Sequence, residues 1–224
     1  MPSHPKSPAR PTRPRGEGRE TRPRGEGREP RPRGEGRENL LLAAAQDFEE
    51  VGYDGTHSNR IAARAGYATQ TFYRHFPDKL TIFLAVYADW SDSGIAALPE
   101  LRDARAAADA LVAHHRAARV FRRSLRTLTA TEPKVAEARA RARRRQAGAL
   151  AAALPAFRAR PAPDRFATLL ILERLADAVA DSEFMALGIP DADAIALLAT
   201  EIAARLLPNG ARAKAQAAQP SLFD

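Results

Sequence analysis

The sequence predicts an all-α protein: an N-terminal helix-turn-helix head of three helices, a C-terminal helical body, and a disordered basic arm in front. Three observations carry this. No stretch alternates apolar and polar residues as a half-buried strand does. Apolar residues recur at helical spacing from about residue 38 to residue 207, between breaks marked by Pro and Gly. Residues 56–79, THSNRIAARAGYATQTFYRHFPDK, read as two short helices about a tight turn.

The arm, 1–36, is dominated by three copies of one nine-residue unit, RPRGEGRET, RPRGEGREP and RPRGEGREN, the last running into the head. Pro and Gly in every unit oppose helix and strand, and nothing apolar is available to bury, so disorder is expected. A flexible basic arm can follow phosphates or enter a minor groove, although the Glu of each unit opposes this. The alternative is a solvated tail grown by duplication. Arg37, Glu38 and Asn39 are placed to begin the first helix.

Helix one is expected over about 38–51, with Leu41, Ala44, Ala45 and Phe48 inward and Gly52-Tyr53-Asp54-Gly55 as the turn after it. The next helix starts after Thr56, a good N-cap, and carries Ile61, Ala62 and Ala65 as its apolar stripe. Gly66 stands where the chain must turn. A second helix then runs from Thr69 to His75 and stops before Pro77. Phe72 and Phe76, four apart, face inward. Thr69, Gln70, Thr71, Tyr73, Arg74 and His75 fall on or beside the outer face. Gln pairs bidentately with adenine and a Thr methyl meets the thymine methyl. Tyr and Arg suit phosphates, which set register. Lys79, in the first turn of the next helix, has a backbone phosphate as its expected partner. Arg60 adds positive charge to the same segment and, with Thr56, belongs to the expected DNA-contacting set.

The stretch from Asn39 to Trp90 resembles the DNA-binding domain of the TetR family of transcriptional regulators. The matching residues are LLLAAAQDF at 40–48, Gly52-Tyr53, Thr56, Ile61-Ala62, Ala65-Gly66, Thr71-Phe72-Tyr73, His75-Phe76 and Asp78-Lys79-Leu80. The departures are Asp47 at a usually apolar place, Tyr67 and Ala68 before the recognition helix, and Gln70 where Gly is frequent. Since Ala68 cannot cap, Thr69 is the expected cap. The resemblance implies a dimeric regulator on a palindromic operator in double-stranded DNA, more often a repressor, released by a small-molecule effector. It also implies that the last two long helices pair with those of a second subunit.

The head is read as 37–85, the body as 86–207 and a flexible tail as 208–224. A fourth helix at 78–97, with Leu80, Phe83, Leu84 and Tyr87 inward, would join head to body. Further helices are expected at about 100–130 (broken near Phe121), 133–154, 163–187 and 191–207. The helix at 163–187 carries Phe166, Leu169, Leu170, Leu172, Leu175, Val179 and Phe184, an apolar surplus suited to a homodimer interface or to burial within one subunit. Candidates for the effector pocket are Trp90, His114, His115, Arg119, Phe121, Phe157 and Met185. The run Arg139 to Arg145 reads as a solvated face.

Composition bounds the remainder. Net charge is +8 over 224 residues, yet residues 40–100 are net −4, so local sign must steer DNA. The absence of cysteine excludes disulfides and thiolate metal sites. No apolar run approaches the ~20 residues of a membrane span, and no hydrophobic signal core is present. A cytoplasmic protein without a membrane role is expected. No nucleophile–base pair, metal-ligand spacing or phosphate-cradling Gly loop points to an enzyme or a cofactor. Glu173 and Asp177, one helical turn apart, read as partners of Arg174 and solvent. A non-specific or architectural DNA-binding protein, using the arm, is the alternative class.

Overall fold

The computed structural model describes residues 35–96 and 103–207; the repeat arm before Glu35 and the tail from 208 lie outside the described residues. Among the described residues the elements are all helical. Helix α1, Glu35–Gly55, buries Leu40, Ala44 and Phe48 completely and begins with Glu35 and Glu38, whose charges favour a helix N-terminus. It starts three residues earlier than the pattern suggests. Gly52 interrupts it with φ 73° and ψ −178°, a combination open essentially only to Gly.

Helices α2, Ser58–Arg64, and α3, Thr69–His75, form the helix-turn-helix, and Gly66 turns between them at φ 74°. Two caps differ from expectation. His57, not Thr56, caps α2 by accepting from the Arg60 N–H at 3.2 Å. Thr56 is buried and its hydroxyl donates to Gly52 O at 2.8 Å, so it seals the α1 kink. Ala68 occupies the cap position of α3 without a side-chain bond, and Thr69 is already helical.

Helix α4, Lys79–Ala96, turns Ile82, Phe83, Val86 and Tyr87 inward, with Leu80 and Leu84 only half-buried at the margins of that stripe. Phe83 lies 5.0 Å from Phe48, 5.1 Å from Tyr53 and 4.9 Å from Phe121 between ring centres. Such edge and tilted pairs add to area burial.

The body holds α5 (Ala104–Arg116), α6 (Arg119–Thr131), α7 (Pro133–Ala153), the one-turn α8 (Pro155–Arg158), α9 (Ala162–Ala180), the one-turn α10 (Glu183–Ala186) and α11 (Asp191–Leu206). The break in the long 100–130 pattern falls at Ala117–Ala118, just before Phe121. Pro133 and Pro155 stand at helix starts, where a missing N–H costs nothing. The helix expected over 163–187 ends at Ala180. Ser182 takes a left-handed φ of 63°, which places Phe184 and Met185 on a separate turn.

Two apolar clusters result. One runs from the head into α6 and α7, through Phe48, Phe83, Phe121, Leu125 and Val135. The other joins α5, α9 and α11 through Val112, Leu172, Leu198 and Ile202. The seam between them carries most of the buried charge.

Candidate functional site

Phe72 and Phe76 are buried in the head, and this anchors α3 with its opposite face outward. Gln70, Tyr73 and Arg74 are exposed; Thr69, Thr71 and His75 are half-exposed. The Tyr73 and Ser58 hydroxyls lie 2.8 Å apart, which ties α3 to the start of α2. The His75 ring packs against Gly36 at the start of α1. This face offers amide, hydroxyl and guanidinium groups in one row.

The remaining nominated residues have internal partners. Arg60 Nε donates to Asp47 at 3.0 Å and its Nη2 to Glu50 at 2.8 Å; Arg64 pairs with the same two carboxylates. This explains a polar residue on the buried stripe of α1: Asp47 is fully buried because two arginines of α2 reach it. Lys79 Nζ donates to Tyr53 O at 2.8 Å and Thr56 O at 3.0 Å, and stands 3.9 Å from the Tyr53 ring centre. Burial lowers its pKa. Lys79 thus closes the carbonyls at the end of α1 instead of standing free for a phosphate. Thr56, buried at the kink, presents no side chain to the outer surface.

The head is joined to the body through α6. Glu49 of α1 accepts from the N–H groups of Val120 and Phe121 at 3.1 and 3.0 Å, capping a helix that has no cap of its own. The Tyr53 N–H donates to Ser124 Oγ at 3.0 Å. One side of α6 therefore grips the kinked end of α1.

Arg122, Leu125 and Arg126, also on α6, line a cavity of about 110 Å³ on the seam between the two apolar clusters. That is well above the ~10–15 Å³ a single water needs. Trp90, His114 and His115 from the nominated residues line it. Trp90 and His114 stack at 4.8 Å, with planes 11° apart. Burial, and then the charge of His115, push His114 down to a pKa of about 4, so this ring is neutral at pH 7.

The other nominated residues lie elsewhere. Phe157 is wholly buried in the body core. Arg119 donates to Ala180 O. Phe121 faces a second groove between α1 and α4. Met185 is 55 % exposed on α10.

The main polar wall is one that sequence reasoning missed. Asp177 is held by Arg122, by Arg126 Nη1 at 3.1 Å and by His115 Nδ1 at 2.9 Å. Burial alone would raise its pKa; the His115 hydrogen bond and the charges of Arg122, His115 and Arg126 outweigh this and hold it at about 2. Asp181 bonds Arg122 at 3.0 Å and Arg126 at 2.7 Å. Glu173 pairs with Arg139 and, at 2.8 Å, with Arg143. Arg139 is buried, so the 139–145 run is not a uniformly solvated face, and Glu173 and Asp177 look inward rather than to Arg174. The available signal was the spacing: Arg122/Arg126, Arg139/Arg143 and Glu173/Asp177 each sit one helical turn apart on facing helices.

The model of bacterial regulatory proteins of the tetR family matches residues 40–86, the segment whose outer face has just been described. This head belongs to the TetR family. The match covers the head and not the body. In fold, the chain is similar to Salmonella enterica GusR, at 19 % identity and a TM-score of 0.61, over 76 % of this chain and 95 % of that one. A TetR-family transcriptional regulator from Marinobacter aquaeolei VT8 is similar at 19 % identity and a TM-score of 0.58, over 82 % and 98 %. RolR, solved with resorcinol, is similar at 23 % identity and a TM-score of 0.51, over 84 % and 96 %. No protein of curated function matches this chain. Among the described residues, no helix is long and apolar enough to cross a membrane and no group of His, Cys, Asp or Glu could hold a metal ion.

Proposed function

We propose that this chain is a dimeric, sequence-reading repressor in the cytoplasm, released from a palindromic operator by a small molecule bound in the body cavity. The observation that carries the reading is the outer face of α3. Gln70 reads adenine, Thr69 and Thr71 offer methyl and hydroxyl groups to base edges, and Tyr73, Arg74 and His75 hold phosphates. Arg60 and Lys79 act indirectly, by fixing α2 and α1 beneath that face. A two-fold dimer places two copies of α3 one DNA turn apart. Phe166, Leu170 and Ile171 of α9, each more than a third exposed, supply its apolar surface.

Release runs through α6. This helix touches the cavity with Arg122, Leu125 and Arg126, and the head with Val120, Phe121 and Ser124. A ligand that prefers a different arrangement of the ionic seam shifts α6 against α1, and operator affinity falls by that differential affinity. RolR, a protein of similar fold, is solved with resorcinol, which supports a small-molecule ligand for this chain.

The test compares variants on a library of bound duplexes. Gln70→Ala is expected to relax preference at one base position of each half-site, by about 1–3 kcal/mol of discrimination. Tyr73→Phe is expected to weaken binding to all sequences alike. The reverse pattern would exchange the reading and positioning roles, and unchanged binding by both would remove α3 from the interface.

A further inference from the structure

Resting on the effector reading of the cavity, we propose that its ligand is a compact aromatic monocarboxylate. The polar groups of the wall are nearly all matched to each other. Arg122 donates from Nε to His115 O at 2.8 Å and from its other nitrogens to Asp177 and Asp181. Gln146 donates to Ser91 Oγ at 3.2 Å. Arg139 donates to Thr129 Oγ1 at 3.0 Å and to Glu173.

Two buried donor atoms on residues that line the cavity, Trp90 Nε1 and Arg139 Nε, have no partner. Both are donors and neither can accept. The Arg139 side chain is only 4 % exposed, so open solvent does not serve it. A buried donor without an acceptor is costly, and a ligand that supplies acceptor oxygens relieves that cost.

Charge points the same way. Arg122, Arg126 and Arg139 face the cavity against two carboxylates, Glu173 and Asp177. Directly behind them, Arg143 pairs with Glu173 and Arg119 stands 3.8 Å from Asp181. His114 is neutral, so guanidinium charge is in excess over carboxylate. A carboxylate brings one negative charge and two acceptor oxygens, and hydrogen bonds to ionised groups are the strong ones. An amide supplies an acceptor without the charge; an ammonium supplies neither. The rest of the wall is Tyr87, the Trp90–His114 stack and leucines, which suits a planar ring. A volume of about 110 Å³ suits a small molecule.

The chain has a single tryptophan, Trp90, whose fluorescence reports on this wall and on the second groove it also borders, so Arg139→Lys, at a residue that lines the first alone, assigns the site. The full-length protein is titrated at pH 7 with benzoate, 4-hydroxybenzoate and 1-naphthoate, and with benzamide, 1-naphthamide and benzylamine as neutral and cationic counterparts. At least one acid is expected to change Trp90 emission saturably and to bind roughly tenfold or more tighter than its amide, with no saturation by the amine. Arg139→Lys keeps the charge and loses the Nε donor. It is expected to weaken the acid roughly tenfold and the amide by less, because the same donor meets a carboxylate oxygen more strongly than an amide oxygen. Trp90→Phe, followed by calorimetry, removes the other donor while keeping a ring in the wall, and serves should Arg139→Lys not fold. Amides or amines that bind as tightly as the acids would overturn the carboxylate class and leave the effector cavity standing. No saturation by any compound of the panel would overturn both.

Discussion

The head and the seam beneath it are built from opposite materials. The head closes around the rings of Phe48, Tyr53 and Phe83, with Phe121 of α6 laid against them, and these four rings carry a single hydroxyl. The seam closes around Arg122, Arg139, His115, Asp177 and Glu173, where each ion has more than one available partner. A dry aromatic core has one low-energy packing. A buried ion network is weak evidence of stability, since an apolar replacement often does as well, and its advantage is that a ligand can change which ions pair. The difference teaches that recognition needs a rigid α3, whereas response needs a seam with alternatives, and α6 belongs to both.

The largest test of this contrast sets one truncation on each side. Phe83→Ala is expected to cost about 3–5 kcal/mol in chemical unfolding. Arg122→Met, which leaves Asp177 and Asp181 short of a buried cation, is expected to cost about 3 kcal/mol or more. Adding Asp177→Leu to Arg122→Met should recover much of that loss, while no second apolar change should rescue Phe83→Ala. Failure of the double variant to recover would mean that the seam is as specific a packing unit as the head.

A smaller effect comes from the kink. Gly52→Ala forces a side chain into φ 73° and brings its Cβ within 3.2 Å of Ser124 Oγ. A loss of about 1–3 kcal/mol is expected, together with weaker DNA binding. Unchanged melting would show that α1 can straighten without disturbing α6.

The last effect is acid dependence, to which the seam contributes two groups with large shifts. His114 has a folded pKa of about 4 against 6.5 unfolded, so its contribution is complete above pH 6.5 and is lost as pH falls towards 4. Asp177, at about 2 against 3.8, contributes above pH 4 and loses this as pH falls towards 2. Melting temperatures measured from pH 7.5 to pH 3 should fall in both windows. His114→Phe, which keeps the stack on Trp90, should flatten the upper one. An equal slope in that variant would place the upper titration on another group.

The same contrast explains what was readable in the sequence. The head was legible because its signals are local: Phe72 and Phe76 four apart, Gly66 at the turn, Pro77 at the stop. Its errors were small and local too. His57 displaced Thr56 as cap because the Gly52 kink draws the Thr56 hydroxyl back to α1. Arg60 and Lys79 looked free because their partners, Asp47 and the Tyr53 and Thr56 carbonyls, lie on another helix. In the body, Trp90, His114 and His115 were found by residue type. Arg122, Arg139, Glu173 and Asp177 were not, because a charged residue at helical spacing looks solvated until another helix is laid against it. The break at Ser182 carries no Gly or Pro, and it moved Met185 away from the cavity.

The central claim is that two copies of α3, held by an aromatic head, read a symmetric DNA sequence. Selection of bound duplexes from a random pool by the purified full-length chain, at near-physiological salt, tests it most directly. The expected result is an inverted repeat whose half-site centres lie about one helical turn, roughly 34–36 Å, apart, or a multiple of it. Recovery of no motif, with binding that vanishes as salt rises, would contradict it and leave backbone charge as the whole of the interaction.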